Sequence, residues 1–141
     1  MTTPCSSCGF ALWNPYGALS VSTLGLYSDS RFPGRTILRL DQHFDQLDEI
    51  PVELSSLFMD DIQQTVWRLK EYTGAPRVNV AILGNTESHV HAHLIPRKPQ
   101  NEPLPTKSPW DDPRPRTALE PAHEELILSE LRAIFGFNLE S

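Results

Sequence analysis

The sequence predicts an α+β fold in which short antiparallel strands pack on one long helix, and three patterns predict it. Apolar and small polar side chains alternate from Ala18 to Ser28, as they do in a strand with one buried face. Between Pro51 and Tyr72 the apolar residues Leu54, Leu57, Phe58, Ile62, Val66 and Leu69 recur at helical spacing. Further on, three of the five histidines, His89, His91 and His93, alternate with Val90, Ala92 and Leu94. On a strand that alternation turns the imidazoles to one face and the apolar side chains to the core.

Taken in chain order, the run 18–28 is the first expected strand. Pro33-Gly34 then turns the chain into Arg35-Thr36-Ile37-Leu38-Arg39-Leu40, an antiparallel partner. The long helix tolerates Pro51 in its first turn and ends at Gly74, a residue that readily takes the left-handed conformation of a helix stop. Val78 to Leu83 reads as a strand, Gly84-Asn85 as a turn, and Ser88 to Pro96 as the hairpin partner that places the histidines inside a sheet. Residues 99–116 hold Pro99, Pro103, Pro105, Pro109, Pro113 and Pro115. Such spacing breaks strand ladders and predicts an extended arm wrapped over the body or over a partner subunit. A last helix over about 120–135 presents Ile127, Leu128, Leu131, Ile134 and Phe135.

At 141 residues the chain fits one domain over 1–141, with a core at about 5–97 followed by the arm and the last helix. Its 39% hydrophobic and 21% charged residues are those of a globular protein. A formal net charge of −6 argues against a general nucleic-acid surface. No apolar stretch approaches the roughly 20 residues of a membrane span, and Met1-Thr2-Thr3-Pro4-Cys5 lacks the basic and apolar parts of a signal peptide. A cytoplasmic location and no membrane partner are expected.

Imidazole serves as nucleophile, general acid or base, or metal ligand near neutral pH. The alternating run therefore has three readings: a strand that merely fills a polar patch, a catalytic metal site of three imidazoles with Glu87 close by, or nucleophilic and acid–base chemistry. Cys5-Ser6-Ser7-Cys8 is a Cys-x-x-Cys, which alone could be a redox pair, half of a metal site, or without role. Asp29 fits an ordinary turn, and His123 a solvated position in the first turn of the last helix. Trp110 could cover the site or a subunit seam.

The string His89-Val90-His91-Ala92-His93-Leu94-Ile95 matches the His-φ-His-φ-His-φ-φ signature, with φ apolar, of the histidine triad family of nucleotide hydrolases and transferases. Pro96-Arg97 after it, Leu83-Gly84-Asn85 before it, and the order of strand, His43, long helix and two strands are also similar to that family, across most of residues 5–97. The resemblance implies an antiparallel sheet with one long helix, paired into a homodimer. It implies that His91 attacks the α-phosphorus of a nucleotide, forming a nucleotidyl-histidine, while His93 contacts the same phosphate. Asn85, Thr86 and Ser88 would supply neutral donors, and Asp29 would accept hydrogen bonds from the ribose. The family's approach to the triad is longer and holds Gly and Gln, whereas Gly84-Asn85-Thr86-Glu87-Ser88 is short. An AMP-containing dinucleoside polyphosphate is the implied substrate class, and a nucleotide-binding or regulatory protein without turnover is the rival reading. Cys5, Cys8, His43 and His89 together make a Cys₂His₂ set suited to structural zinc, a pattern similar to that of some bacterial members.

Overall fold

The computed structural model describes residues 1–137. Five strands form one antiparallel sheet: β1 (Pro15–Ala18), β2 (Ser22–Leu26), β3 (Thr36–Leu40), β4 (Arg77–Ala81) and β5 (His91–Arg97), in the order β1-β2-β3-β5-β4. The long helix α1 (Val52–Thr73) connects β3 to β4, and α2 (Pro121–Phe135) follows the arm. The expected α+β class is thus observed.

β5 lies between β3 and β4, with Leu38 opposite Ala92 and Ile37 opposite His93. Period-two alternation then sorts the faces. Leu24, Leu38, Ala92 and Leu94 turn inward and join Phe58, Ile62 and Leu69 of α1 in the core, where Tyr16, Leu119, Ile127 and Leu131 complete the packing. Gly25, Ile37, His91 and His93 line a cavity on the other face.

Three expectations needed correction. The run 18–28 is not one strand, because the chain reverses between Ala18 and Ser22 and adds Pro15–Ala18 as an edge strand. The cause lies in α1: the buried carboxylate of Asp61 accepts hydrogen bonds from the Ser20 amide and hydroxyl, the Val21 amide and the Ser22 hydroxyl. Four donors on one buried carboxylate hold the turn against the helix. The second correction concerns the Gly84-Asn85 hairpin turn. β4 ends at Ala81, opposite His93, and residues 82–90 form a loop. The Val90 carbonyl instead accepts from the Leu40 amide at 3.1 Å and its amide donates to the Phe44 carbonyl at 2.9 Å, so the first three residues of the expected strand, Ser88 to Val90, lie outside β5, with Val90 at the end of β3. Third, Pro51 sits just before the first turn of α1 rather than in it, its carbonyl accepting from the Ser55 amide, and Leu57 is exposed. Gly74 does end the helix, at φ 73°.

The proline-rich arm lies on its own body. Arg97 at the end of β5 binds Glu102, Asn79 and the carbonyls of Leu104 and Pro105. Thr117 pairs with Ser30 through both backbone and hydroxyl, and the Leu119 amide donates to the Ser28 hydroxyl. These anchors carry the arm past the cavity and deliver Trp110 and Arg116 to its wall.

Candidate functional site

The cavity measures about 890 Å³ and takes its floor from β5 and its rim from the N-terminal segment, the loop 82–90 and the arm. His91 and His93 both line it, with ring centroids 5.3 Å apart. His89 does not line it, since it lies before the strand begins and turns toward Cys8. The three imidazoles therefore do not converge on one point, and a three-histidine catalytic metal site is not assembled.

Fixed partners determine which nitrogen of each ring carries the proton. The His91 Nδ1 lies 2.6 Å from the His89 carbonyl, which only accepts. His91 therefore donates from Nδ1, and its Nε2 holds a lone pair. For His93 the polarity is reversed. Arg35 Nη2 lies 3.2 Å from the His93 Nδ1, and a guanidinium only donates, so Nδ1 accepts and the proton of the neutral ring sits on Nε2. Burial pulls the His93 pKa down to about 4, helped by the positive charge of Arg35. A lone pair and an N–H are thus set side by side.

Arg35 is itself fixed by Asp29, 2.9 Å from its Nη1, and lies 3.9 Å over the Tyr27 ring. Asp29 is fully buried and also accepts from the side chain and amide of Arg31. Burial raises its pKa, but the Arg31 and Arg35 contacts outweigh that and hold the carboxyl below its usual value. Asp29 thus stands behind the wall, orienting Arg35, and does not line the cavity. Asn85 and Thr86 line the rim, whereas Ser88 is exposed and off the cavity.

Beside the cavity, Cys5, Cys8, His43 and His89 bring four donor atoms within 4.8 Å of one another. Cys5 Sγ is 3.6 Å from His43 Nδ1, Cys8 Sγ is 3.4 Å from His89 Nδ1, and the two Nδ1 atoms are 3.2 Å apart. With Zn–N near 2.0–2.1 Å and Zn–S near 2.3 Å, the edges of a tetrahedral site are about 3.3–3.8 Å. The far nitrogens are committed as well: His89 Nε2 donates to the Leu40 carbonyl at 2.6 Å and His43 Nε2 to Asp45 at 2.8 Å. Both Nδ1 lone pairs consequently face each other, an arrangement that a cation between them satisfies. The Cys5 thiol is lowered to about 6, chiefly by the Ser7 amide. Phe10, five residues on, packs its ring 5.5 Å from His89 and 5.0 Å from His91, joining the cluster to the cavity.

Sequence reasoning missed Arg35, Tyr27, Phe10 and Arg116. For Arg35 a signal existed: it shares the parity of Ile37 and Arg39, the residues opposite His93 and His91, and so belongs to the histidine face. Arg116 carries no such signal because its place depends on how the arm folds back.

No protein-family model and no curated protein matches the chain. Solved structures do. A histidine triad protein from Bradyrhizobium japonicum is 22% identical over 84% of this chain and 87% of its own, with a TM-score of 0.75. A Plasmodium falciparum diadenosine triphosphate hydrolase, solved in complex with cyclomarin A, is 17% identical over 87% of this chain and 74% of its own, at 0.60. A zinc-bound histidine triad family protein from Mycobacterium smegmatis is 19% identical over 86% and 83%, at 0.61. The chain has the fold of the histidine triad proteins.

Proposed function

We propose that the chain is a nucleotide hydrolase or nucleotidyltransferase that cleaves phosphoric anhydrides, of the dinucleoside polyphosphate type, through His91. The observation that carries the reading is the tautomer lock. With Nδ1–H held by the His89 carbonyl at 2.6 Å, the Nε2 lone pair of His91 is the free base in the cavity. Neutral imidazole so oriented is a competent nucleophile at pH 7.

In the first step the His91 Nε2 lone pair forms a bond to the α-phosphorus while the bond from phosphorus to the bridging oxygen breaks, its electron pair leaving on that oxygen. His93 Nε2–H donates a hydrogen bond to a phosphoryl oxygen and stabilises its growing charge. A neutral imidazole N–H is too weak an acid to hand its proton over, so the leaving group departs as an anion, as a phosphate of an anhydride readily does. Water then attacks phosphorus, the P–N bond returns its electrons to His91, and the water proton passes to solvent. Asn85 and Thr86 at the rim are the neutral donors for the remaining phosphate oxygens, with AMP as the retained half. Ser88 and Asp29 belong to this reading only through the loop and through Arg35, given where they stand.

Zinc fits the cluster by its donor chemistry and edge lengths, and Cys5, Cys8, His43 and His89 would hold it. It would supply rigidity to the chain on either side of His89, including the carbonyl that fixes His91. A homodimer belongs to the same reading. Trp67 of α1 and Val80 of β4, 76% and 42% exposed, line a common shallow groove beside the free edge of the sheet, where a second copy would sit; sedimentation equilibrium should return twice the chain mass.

The test is intact-mass spectrometry after rapid quenching with diadenosine tetraphosphate. Wild type should gain one adenylyl group, located at His91, and release AMP. His91→Asn should gain none and lose turnover by a factor of about 10⁴ or more. Reversible binding with neither adduct nor product would give the case to the regulatory, non-catalytic reading.

A further inference from the structure

The reaction at His91 and His93 leaves one wall of the cavity unused. It consists of Tyr27, Trp110 and Arg116, two of them supplied by the arm. Arg116 Nη1 donates to the Tyr27 hydroxyl oxygen at 2.6 Å. That bond leaves the Tyr27 O–H proton available, so a phenolic donor and a guanidinium stand together, a pairing suited to phosphate oxygens. Trp110 is 49% exposed with its ring edge-on to His93 at 5.4 Å.

Electrostatics favour an anion here. The lining contains two arginines, Arg35 and Arg116, against one acid, Glu87, although the whole chain carries −6. Arg35 has a side chain only 4% exposed, and its buried Nε has no partner among the described residues. The two guanidinium groups flank one ring, Arg35 at 3.9 Å and Arg116 at 5.9 Å from the Tyr27 centroid. Position along the wall sets which part of a substrate they meet. His91 neighbours His93 at 5.3 Å, His93 neighbours Tyr27 at 6.1 Å, and Arg116 is reached through the Tyr27 hydroxyl. His91 and Arg116 are thus linked through His93 and Tyr27 and share no hydrogen bond.

The geometry points to a leaving-group subsite in which Arg116 and the Tyr27 hydroxyl bind the phosphates that depart from the α-phosphorus, with Trp110 offering a face to the base attached to them. The inference rests on the reading of His91 as the attacking residue and adds the chemistry of the other half of the substrate: a polyphosphate chain, preferentially ending in a nucleoside. It also matches the neutral His93, since a leaving group that departs unprotonated needs a cation where its charge appears.

The experiment compares two substrates that share the adenylyl group, diadenosine tetraphosphate and the p-nitrophenyl ester of AMP, in wild type, Arg116→Ala and Arg116→Lys. The ratio of kcat/KM for tetraphosphate over ester should fall about tenfold or more in Arg116→Ala and recover in part in Arg116→Lys. A second arm needs no turnover. In a His91→Asn background, the affinity of adenosine 5′-tetraphosphate relative to AMP, measured by calorimetry, should drop by a similar factor when Arg116→Ala is added. Equal losses on both substrates, or no loss on either, would overturn the subsite, as would an unchanged affinity ratio. Absence of turnover in wild type would instead count against the reaction at His91, and the binding ratio would still decide the role of Arg116.

Discussion

His89 and His93 stand at the two ends of one alternating run, four positions apart, and their environments have opposite polarity. His89 gives its proton to a backbone carbonyl through Nε2 and turns a bare Nδ1 to two cysteines and a second histidine. At the other end His93 accepts from a buried arginine at Nδ1 and turns an N–H to the cavity. Between them His91 donates to the carbonyl of His89 and keeps its lone pair on Nε2. One type of side chain thus presents a bare nitrogen to two thiols, a lone pair and an N–H at three neighbouring positions, because each partner can only donate or only accept. The lesson is that a histidine pattern names the chemistry available, and neighbouring groups decide which part each ring plays.

Breaking the His89 end should have the largest effect. Cys8→Ser, or exhaustive chelation of the wild type, should take bound zinc from one per chain to none. A metal present at about a thousand times its Kd contributes about 4 kcal/mol to the folded state, and urea unfolding should show a loss of that order. Metal analysis finding no zinc in the parent protein, together with an unchanged melting temperature after chelation, would remove the contrast between the two ends.

The His93 end responds to proton chemistry instead. A folded His93 pKa of about 4 against an ordinary 6.5 means that below pH 6.5 the unfolded chain takes up a proton that the native ring refuses. Stability should therefore be full above pH 6.5 and decline as pH falls toward 4. Arg35→Met should raise the midpoint of the His93 ring, followed by NMR of its carbon-bound protons. The rise stops short of 6.5 because burial, the larger cause, remains. Arg35→Lys, which keeps a cation but not the planar fork, should fall between the two. If the midpoint of His93 in Arg35→Met matched wild type, the arginine would not be what holds the ring neutral.

Much of this contrast was legible in the sequence. Period-two alternation sorted His91 and His93 from Ala92 and Leu94, the helical spacing of Phe58, Ile62 and Leu69 gave α1, and the Cys5-x-x-Cys8 pair lies beside His43 and His89. What stayed hidden depends on tertiary placement. The turn before β2 is held by Asp61, about 40 residues later, and the loop 82–90 leaves the sheet because Val90 bonds to Leu40 and Phe44 instead of β4. Asp29 has the composition of a turn residue, and only the buried positions of Arg31 and Arg35 show its two oxygens to be occupied. No local pattern announces Arg116, since its position follows from the Ser30–Thr117 anchor.

Phe10 tests whether the two ends are independent, and its effect should be the smallest. Its ring touches both His89 and His91, and its carbonyl accepts from the Cys5 amide at 2.9 Å and from Arg39 at 3.1 Å. A backbone held so firmly should survive loss of the ring, so Phe10→Leu ought to leave metal content at one per chain and lower stability by only about 1 kcal/mol. Turnover should fall a few-fold, because His91 loses a wall while keeping the carbonyl that fixes its tautomer. The informative quantity is the coupling with Cys8→Ser. Sites in contact through a shared side chain couple by roughly 0.5–3 kcal/mol, so in the Phe10→Leu background Cys8→Ser should depress kcat less than it does in wild type. Strict additivity in that double-mutant cycle would mean that the cluster stabilises the fold without steering His91, and the two ends of the histidine run would act separately.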